Sequence, residues 1–294
     1  MKSLLWITDA HLDHLSETVK DAWFEKLANS QADMLLLGGD TANSRVFCRM
    51  LGRIEKTFPG KVALVAGNHD YYHTSIADFR AELSALYRTG VIIFEPGCQS
   101  EPLQVAEGVY LCGSGGWGDA SAGYADAAGM ELNDEHLIAE LRTGNLTARL
   151  RELGKESAKH LQEQLAAVPE GASCVIVLTH VPPWPEAAWH EGRHSDARAL
   201  PRFCWQAGGN VISQAAERMP QTRFIVLCGH THSDGIWNQG NITCYTAGSA
   251  YGRIEHSGMI TLGETVSIRE IDITRRAFNG NYDRIKRGNL RRGL

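Results

Sequence analysis

Seven side chains of the types that bind divalent metal ions occur in five short blocks spread along the sequence. Carboxylates, imidazoles and an amide carbonyl form a mixed set of hard and borderline ligands, which suits Mn, Fe, Zn, Co or Ni better than Ca or an all-thiolate site. The set is large enough for a binuclear site, provided that the blocks converge in the fold. The residues are Asp9, His11, Asp40, Asn68, His180, His230 and His232.

Each of these blocks follows an apolar run of the length of a β-strand. In open α/β sheets, ligands collect at the carboxyl ends of the strands, so five such ends are expected to meet at one rim. Glycine precedes Asp40, Asn68 and His230, which lets the backbone turn sharply after the strand. The apolar runs are 4–7, 34–37, 62–66, 174–178 and 224–228.

Helix capping is the competing interpretation of the polar residues at these strand ends. Asp and Asn are favoured as N-caps, and Asp9, Asp40 or Asn68 taken alone would be read in that way. Capping does not predict the Asp-x-His and His-x-His spacings, whereas metal binding does. The blocks taken together therefore favour a metal site.

The elements that would position these residues follow the pattern of an α/β fold. The first ninety residues alternate apolar runs with helical periodicity, as in βαβ units with a largely parallel sheet. Further strands are predicted at 91–94, 109–112, 242–245, 259–262 and 266–271, of which the last three are expected to be antiparallel. Two facing sheets with helices outside would bury these runs. Apolar stripes mark three helices, at Val19, Trp23 and Leu27, at Val46, Met50 and Ile54, and at Ile76, Phe79, Leu83 and Leu86.

The ordered blocks resemble those of the calcineurin-like metallophosphoesterase family. The resemblance implies a four-layer αββα sandwich of two mixed β-sheets flanked by helices, with the metals at the rim of strand ends. It also implies that one metal is held by Asp9, His11 and His232, the other by Asn68, His180 and His230, and that Asp40 bridges them. The similar blocks span residues 9–232 and are Asp9-x-His11, Gly39-Asp40, Gly67-Asn68-His69-Asp70, His180 and Gly229-His230-Thr231-His232.

The resemblance further implies an activity, the metal-dependent hydrolysis of a phosphate ester. Two cations roughly 3.5 to 4 Å apart would clamp the phosphoryl oxygens and lower the pKa of a bridging water, which yields hydroxide for in-line attack. His69 would be free of metal and would protonate the leaving oxygen or stabilise the equatorial oxygens. Asp70 is predicted to act with His69 at the catalytic centre. Asp70 or nearby backbone carbonyls are the candidates for orienting the imidazole ligands.

Three residues near the predicted rim are expected to contact the substrate. Asn43 stands where many relatives carry an acid, three residues after the bridging Asp, and a neutral amide there would stabilise a His69 imidazolium less. His73 follows the Gly-Asn-His-Asp block closely, and His194 lies on the connection between two ligand strands. For both histidines a plain surface position is the competing interpretation.

Residues 1–272 are predicted to form one metallophosphoesterase domain. Within it, the stretch from about 120 to 168 is polar and carries leucines at loosely helical spacing. This pattern indicates an inserted helical cap, which either packs on the surface or acts as a lid. Residues 273–294 form a basic tail, for which a solvated terminus is favoured over a nucleic-acid arm.

Composition restricts the classes of function. With a formal net charge of −5 the chain offers no global attraction for nucleic acid, and no apolar run reaches the ~20 residues of a membrane span. The first residues lack the apolar region of a signal peptide, and the seven scattered cysteines fit a reducing cytoplasm.

The favoured function is the hydrolysis of a small soluble phosphate ester, either a monoester or a diester. A nuclease of the same fold is one alternative, and it would need a basic channel beside the metals. A noncatalytic metal-binding scaffold for other proteins is the second alternative. Its usual mark would be a lost ligand or a replaced His69, and this chain keeps all of these residues.

Overall fold

The computed structural model describes residues 2–124, 130–252, 254, 258–263 and 266–269. The strands in this part of the chain are β1 (Lys2–Ile7), β2 (Met34–Gly38), β3 (Lys61–Val65), β4 (Ile92–Ile93), β5 (Leu103–Ala106), β6 (Val109–Gly113), β7 (Cys174–Leu178), β8 (Trp189–His190), β9 (Arg193–His194), β10 (Arg223–Cys228), β11 (Gly235–Gln239), β12 (Ile242–Thr246), β13 (Gly258–Leu262) and β14 (Val266–Arg269). The helices are α1 (Glu17–Ala28), α2 (Ser44–Thr57), α3 (Ile76–Arg88), α4 (Asp134–Leu137), α5 (Leu146–Ala166), α6 (Leu200–Phe203) and α7 (Gln206–Arg218).

Twelve of these strands form two six-stranded sheets. The first sheet has the order β14-β13-β1-β2-β3-β4, and the second has the order β11-β12-β10-β7-β6-β5. The central strands of each sheet are parallel, whereas β13, β14, β11 and β5 pair with antiparallel neighbours. Both sheets are therefore mixed, and their parallel strands end on one side.

Alternation along the central strands sends side chains to both faces of a sheet. Leu4 and Trp6 of β1 lie in the core between the sheets, together with Ile176 of β7. Leu5 and Ile7 point to the other face and pack with buried residues of α1, α2 and α3. The second sheet is covered in the same way by α5 and α7. The predicted four-layer αββα sandwich is confirmed, and burial on both faces explains why the strands read as continuous apolar runs.

The long helix α5, within the predicted insertion, belongs to the outer helical layer. It connects the parallel neighbours β6 and β7, and its Leu161 and Leu165 join the core beside Val175 and Val177. This position corresponds to surface packing rather than to a lid. Among the described residues of the stretch, those around α4 reach the strand-end rim. The boundary at residue 272 stays a prediction, and the basic tail lies outside the described residues.

Two expectations about strands and helices are corrected by the structure. The strand after residue 241, β12, was expected to be antiparallel, but it runs parallel to β10 and antiparallel only to the edge strand β11. The sequence pattern did not predict β11, because its side chains are mostly exposed and a strand of this kind needs no alternation of apolar and polar residues. In α1, Trp23 and Leu27 are buried as expected, whereas Val19 is 36% exposed because Lys20 and Phe24 take the inner positions instead.

The hydrophobic side chains of the described helices lie mainly on the faces that pack against the sheets. Within this part of the chain, no helix combines the length and apolar composition needed to cross a membrane.

Candidate metal centre

Seven polar side chains meet where five central strands end. Asp9 and His11 follow β1, Asp40 follows β2, and Asn68 follows β3 in the first sheet. From the second sheet, His180 follows β7, and His230 and His232 follow β10. Five of the seven residues are buried, and His230 and His232 are partly exposed. The structure thus brings together every residue that the sequence predicts as a metal ligand.

One set of these side chains, called here the first ligand group, consists of Asp9, His11 and His232. The Nε2 atoms of His11 and His232 are 3.2 Å apart, and His232 Nε2 lies 3.3 Å from Asp9 Oδ1. Together with Asp40 these residues offer four potential ligand atoms within 4.8 Å of one another. Metal ligands held at about 2.1 Å from one cation lie roughly 3 to 3.5 Å apart, so the spacing suits a single ion.

The second ligand group consists of Asn68, His180 and His230. Asn68 Oδ1 lies 3.1 Å from His180 Nε2 and 3.0 Å from His230 Nδ1. The same two ring nitrogens are 3.2 Å apart. Three side-chain atoms from three different strands thus converge on one point.

The hydrogen bonds on the far side of each imidazole determine which nitrogen of the second group carries a proton. His180 Nδ1 lies 2.9 Å from the carbonyl oxygen of Gly38, and His230 Nε2 lies 3.0 Å from that of Arg202. Because a carbonyl only accepts, these nitrogens donate, and the opposite nitrogens carry lone pairs. Two lone pairs and an amide oxygen therefore face one another, which is repulsive without a cation and ideal with one. The residues present fit a divalent metal.

Asp40 lies between the two ligand groups. Its Oδ1 is 3.4 Å from His180 Nε2 of the second group, and its Oδ2 is 3.8 Å from His11 Nε2 of the first. Burial raises the pKa of Asp40 well above its usual range, and the carboxylates of Asp9 and Asp70 raise it further. Bound cations would reverse this effect by favouring the ionised carboxylate. Asp40 thus has the position of a bridging ligand.

Burial also keeps His11, His180 and His230 neutral. It lowers the pKa of His11 to about 3 and that of His230 to about 3, and it lowers the pKa of the fully buried His180 as well. A metal binds the neutral form of imidazole. The histidines are therefore in the state that binds a metal.

The backbone at the rim is strained to direct these side chains. Non-glycine residues avoid positive φ, and such conformations cluster at functional sites because the surrounding structure holds them there. Five of the seven residues have this conformation. They are Asp9 (φ 52°), His11 (φ 41°), Asp40 (φ 51°), His230 (φ 69°) and His232 (φ 58°).

Glycines stand beside the ligands mainly because there is no space for a Cβ atom at these positions. A Cβ on Gly229 would collide with the carboxylate of Asp9, and a Cβ on Gly67 would collide with that of Asp40. Of the three glycines expected to permit a sharp turn, only Gly39 has a positive φ, of 91°. Close packing, rather than unusual dihedral angles, thus explains Gly67 and Gly229.

His69 lies beside both groups without belonging to either. Its ring stacks on Tyr72, with centroids 4.2 Å apart, and meets the edge of His11 at 4.6 Å. Its Nε2 is 3.9 Å from Asp40 Oδ2, and burial lowers the pKa of His69 to about 2. The ring is therefore neutral and lies next to Asp40 at the opening of the site.

The carboxylate of Asp70 contacts backbone groups rather than an imidazole. Its carboxylate accepts the backbone N–H groups of Asp40, Ala42 and Gly67, at 2.8 to 3.0 Å. The side chain is fully buried and holds the ends of β2 and β3 together. Backbone carbonyls, not Asp70, accept from the rings of His180 and His230. Asp70 thus has the contacts of a positioning residue, and its catalytic role stays a prediction.

A cavity of about 520 Å³ opens beside His69. Asn43 and His73, two of the predicted substrate contacts, line it. Asn43 does not orient His69, because its amide binds Asp13 Oδ2 at 2.7 Å and caps α2. The third predicted contact, His194, lies outside the cavity lining and packs its exposed ring on Trp189, with centroids 4.0 Å apart. The cavity is lined by Asp13, His14, Asn43, His69, Tyr72, His73, Asn133, Leu137 and Tyr251.

Sequence reasoning missed three residues at the site. Asp134 accepts hydrogen bonds from Asn68 and Tyr72, both at 2.7 Å. The ring of Tyr251 lies 4.6 Å from that of His11 and 5.2 Å from that of His232. Tyr72 directly follows the Gly-Asn-His-Asp-Tyr run, and that position was a usable signal. Asp134 and Tyr251 stand far from every block, so no local pattern marked them.

Comparison with known proteins identifies the fold and the family to which these features correspond. The sequence profile of the calcineurin-like phosphoesterases matches residues 3–234. No curated protein sequence matches the chain at a significant level. The solved structure of phosphopantetheinyl hydrolase from Mycobacterium tuberculosis is similar with a TM-score of 0.60 and 16% identity, over 84% of this chain and 89% of that one. A dimetal phosphatase from Danio rerio is similar with a TM-score of 0.56 and 12% identity, over 92% and 96%.

Proposed function

The chain belongs to the calcineurin-like phosphoesterase family, and on this premise we propose that it hydrolyses a small soluble phosphate ester at two divalent metal ions. The observation that carries the proposal is the pair of adjoining ligand groups, with one carboxylate oxygen of Asp40 directed at each. A single-metal site would not need a second set of converging lone pairs. The geometry therefore supports binuclear chemistry.

Each ligand group would hold one cation, with Asp40 shared between them. When bound, two divalent cations polarise the phosphoryl oxygens and lower the pKa of a water molecule, so that it attacks at neutral pH. The mixture of carboxylate, imidazole and amide ligands suits Mn, Fe, Zn, Co or Ni. Two buried carboxylates, Asp9 and Asp40, would offset part of the positive charge.

His69 is proposed as the residue that acts on the ester oxygens. Its ring makes no hydrogen bond with either ligand group in the described part of the chain, and it borders both Asp40 and the cavity. A neutral imidazole in this position donates an N–H hydrogen bond to an equatorial oxygen, and its protonated form would donate a proton to the leaving oxygen. Its backbone N–H donates to Asp40 Oδ1 at 2.9 Å, which fixes its distance from the metals.

The leaving group is proposed to occupy the cavity beside His69. Asn43 and His73 would contact it there, and Tyr72 and Tyr251 offer aromatic faces. The described residues that line the cavity include no Lys or Arg, whereas Asp13 is among them. This lining favours a small leaving group without further phosphates, on either a monoester or a diester.

The same lining argues against the two alternative functions. A nuclease would need cationic side chains to track the phosphate backbone, and the net charge of −5 supplies no general attraction. A noncatalytic scaffold would not need seven converging ligands together with His69. The seven free cysteines support a reducing compartment, and we propose the cytoplasm.

Metal-reconstituted protein tests the proposal. Purified protein is stripped with a chelator, reloaded with Mn²⁺, Zn²⁺ or Co²⁺, and assayed with p-nitrophenyl phosphate, bis-p-nitrophenyl phosphate and a panel of small phosphate esters. Turnover is expected with two equivalents of metal and none after chelation. Absence of turnover with every metal and ester would favour the scaffold instead.

His69→Ala separates the role of His69 from metal binding. The variant is expected to keep both metals, because His69 is not a ligand, and to lose about 10²- to 10⁴-fold in kcat. His136→Ala is the matched control, since His136 is exposed and its one ion pair among the described residues is with Glu131. Full activity of His69→Ala toward an ester with a poor leaving group would contradict the assignment.

A further inference from the structure

A buried carboxylate outside all of the metal-ligand blocks contacts the second ligand group. Asp134, in the single turn α4, is 7% exposed. Its Oδ1 accepts a hydrogen bond from Asn68 Nδ2 and another from the hydroxyl of Tyr72, both at 2.7 Å. These contacts join a segment that carries none of the seven ligands directly to a ligand and to a neighbour of His69.

The hydrogen bond to Asn68 selects the orientation of its amide. An amide has one acceptor and one donor end, and only the oxygen binds a metal. With Nδ2 donating to Asp134, Oδ1 faces His180 and His230 at 3.1 and 3.0 Å. Rotation of the amide by half a turn would place its N–H groups at the metal position and its oxygen against the Asp134 carboxylate. Asp134 therefore disfavours the nonbinding orientation.

The second hydrogen bond extends this effect to His69. Tyr72 uses its hydroxyl for Asp134, and its ring stacks on His69 with an interplanar angle of 29°. A weaker contact of 3.4 Å links Asn68 Nδ2 to the same hydroxyl. Loss of the anchor at Asp134 would free the Tyr72 ring and, with it, the stacked imidazole.

The α4 turn is itself fixed from both sides. His73 N–H donates to Leu137 O at 2.8 Å, and Ala139 N–H donates to Thr74 O at 3.1 Å. On the other side, Glu135 accepts from Arg202 Nε at 2.9 Å, and the carbonyl of Arg202 is the acceptor for His230 Nε2. Of the two adjacent carboxylates of α4, Asp134 thus contacts the ligand Asn68 directly, and Glu135 contacts Arg202, whose carbonyl accepts from the ligand His230.

We propose that Asp134 is a positioning residue that orients Asn68 for metal binding and, through Tyr72, holds the ring of His69 in place. The proposal rests on the proposed function for the role of His69, whereas its metal-binding part stands independently. It predicts that α4 controls the affinity of the second ligand group, although the segment lies outside the blocks that carry the ligands.

Metal titration of three variants tests the first part. Chelator-treated Asp134→Ala is expected to bind one Mn²⁺ about 10- to 100-fold more weakly than the parent, which is the usual effect of losing a residue that is hydrogen-bonded to a metal ligand. Its affinity for the other Mn²⁺ is expected to stay nearly unchanged. Asp134→Asn keeps an acceptor oxygen and is expected to recover part of the affinity. Glu131→Ala is the control, because Glu131 lies in the same segment and its only described ion pair is an exposed one with His136.

Tyr72→Phe tests the second part, because it keeps the ring and removes the hydroxyl. Its two Mn²⁺ affinities are expected to stay within about threefold of the parent, since it keeps the direct contact between Asn68 and Asp134. Its kcat is expected to fall more for an alkyl phosphate than for a p-nitrophenyl ester, because only the alkyl phosphate, with its poor leaving group, needs His69. The KM for both esters is expected to change little.

The outcomes separate the inference from the proposed function. Calorimetric isotherms of Asp134→Ala equal to those of the parent, or equal losses in Glu131→Ala, would overturn the role of Asp134. If Asp134→Ala fails to fold, the isotherms of Asp134→Asn decide in the same way. If the parent hydrolyses no ester but Asp134→Ala still loses one Mn²⁺, the orientation of Asn68 stands and the phosphoesterase proposal fails.

Discussion

The two ligand groups of the metal centre are built in different ways. In the first group, Asp9, His11 and His232 all have left-handed backbone conformations. His11 Nδ1 is buried and has no hydrogen-bond partner among the described residues. In the second group only His230 has a positive φ, and each side chain is fixed on its far side by Asp134 or by a backbone carbonyl. Strained backbone directs the histidines of the first group, whereas hydrogen bonds direct the second group; Asp9 of the first group also accepts from Thr8 and from the backbone of His230.

This difference has a consequence for metal binding. The second group has its donors and acceptors assigned before any ion binds, because carbonyl and carboxylate partners determine the tautomers and the amide orientation. The first group leaves one imidazole free to choose its tautomer. We therefore expect the second group to keep its arrangement without metal and the first group to depend more on the ion.

Asp40→Ala should have the largest effect, because Asp40 faces both groups. Both metals are expected to be lost, and turnover is expected to fall by more than about 10³-fold. This decrease is larger than the one caused by removing a single hydrogen-bond donor that stabilises the transition state. Elemental analysis beside kinetics measures this. Retention of one full equivalent of metal would show that the two groups are independent and that the shared carboxylate is not needed by both.

His11→Ala and His180→Ala should each reduce the bound metal from two equivalents to one. Loss of a direct ligand is expected to lower the affinity for the ion that it holds by more than about 100-fold. That value is the upper end of the range for losing a residue that is only hydrogen-bonded to a ligand. In His11→Ala the remaining ion should bind nearly as in the parent, since the second group is already arranged. If calorimetry showed that His11→Ala loses both ions, the expectation that the second group keeps its arrangement independently of the first would be wrong.

Gly67→Ala should damage the junction between the groups through packing alone. The added Cβ would collide with the carboxylate and the amide nitrogen of Asp40, so the free energy of unfolding is expected to fall by about 1 to 3 kcal/mol. Gly52→Ala in α2 is the matched control, because its Cβ would meet open space, and a helical alanine should add up to about 1 kcal/mol. Urea denaturation measures both variants, and equal stability of the two would refute the packing argument.

Glu95→Gln should have the smallest effect on the metal centre itself and concerns the support of the second group. Glu95 Oε1 accepts the N–H groups of Ala66 and Gly115, both at 2.9 Å, which ties the ends of β3 and β6 together. Burial raises the pKa of Glu95 to about 7, although the two N–H groups oppose the shift. The folded state then holds a proton that the unfolded chain releases above about pH 4.3.

The contribution of Glu95 to stability should therefore fall as the pH rises from about 4.5 to 7. The contribution of Glu95 is on the order of 3 kcal/mol, since each pKa unit corresponds to about 1.4 kcal/mol. Glu95→Gln keeps the acceptor oxygen and should become more stable relative to the parent as the pH rises from 5 to 8, as measured by urea denaturation. An unchanged pH dependence would mean that the carboxyl group does not titrate in this range.

Much of the fold and of the ligand set could be predicted because the signals are local. Strands buried on both faces read as unbroken apolar runs, and the side chain types that bind metals follow them directly. The roles of neighbours were harder to predict. Asp70 and Asn43 were expected near the chemistry, yet their side chains bind backbone N–H groups and Asp13 instead. Sequence position places a residue near the rim but does not set the direction of its side chain.

The sequence by itself determined which residues stand at the ends of which strands, because strand periodicity and residue type are properties of neighbouring positions. Only the tertiary structure decided how those residues are oriented. The partner of His180 lies 142 positions away at Gly38, and that of Asn68 lies 66 positions away at Asp134. Such hydrogen bonds depend on which chain segments meet in space. A polar group finds its partner only after the packing of the sheets and helices has brought the two together.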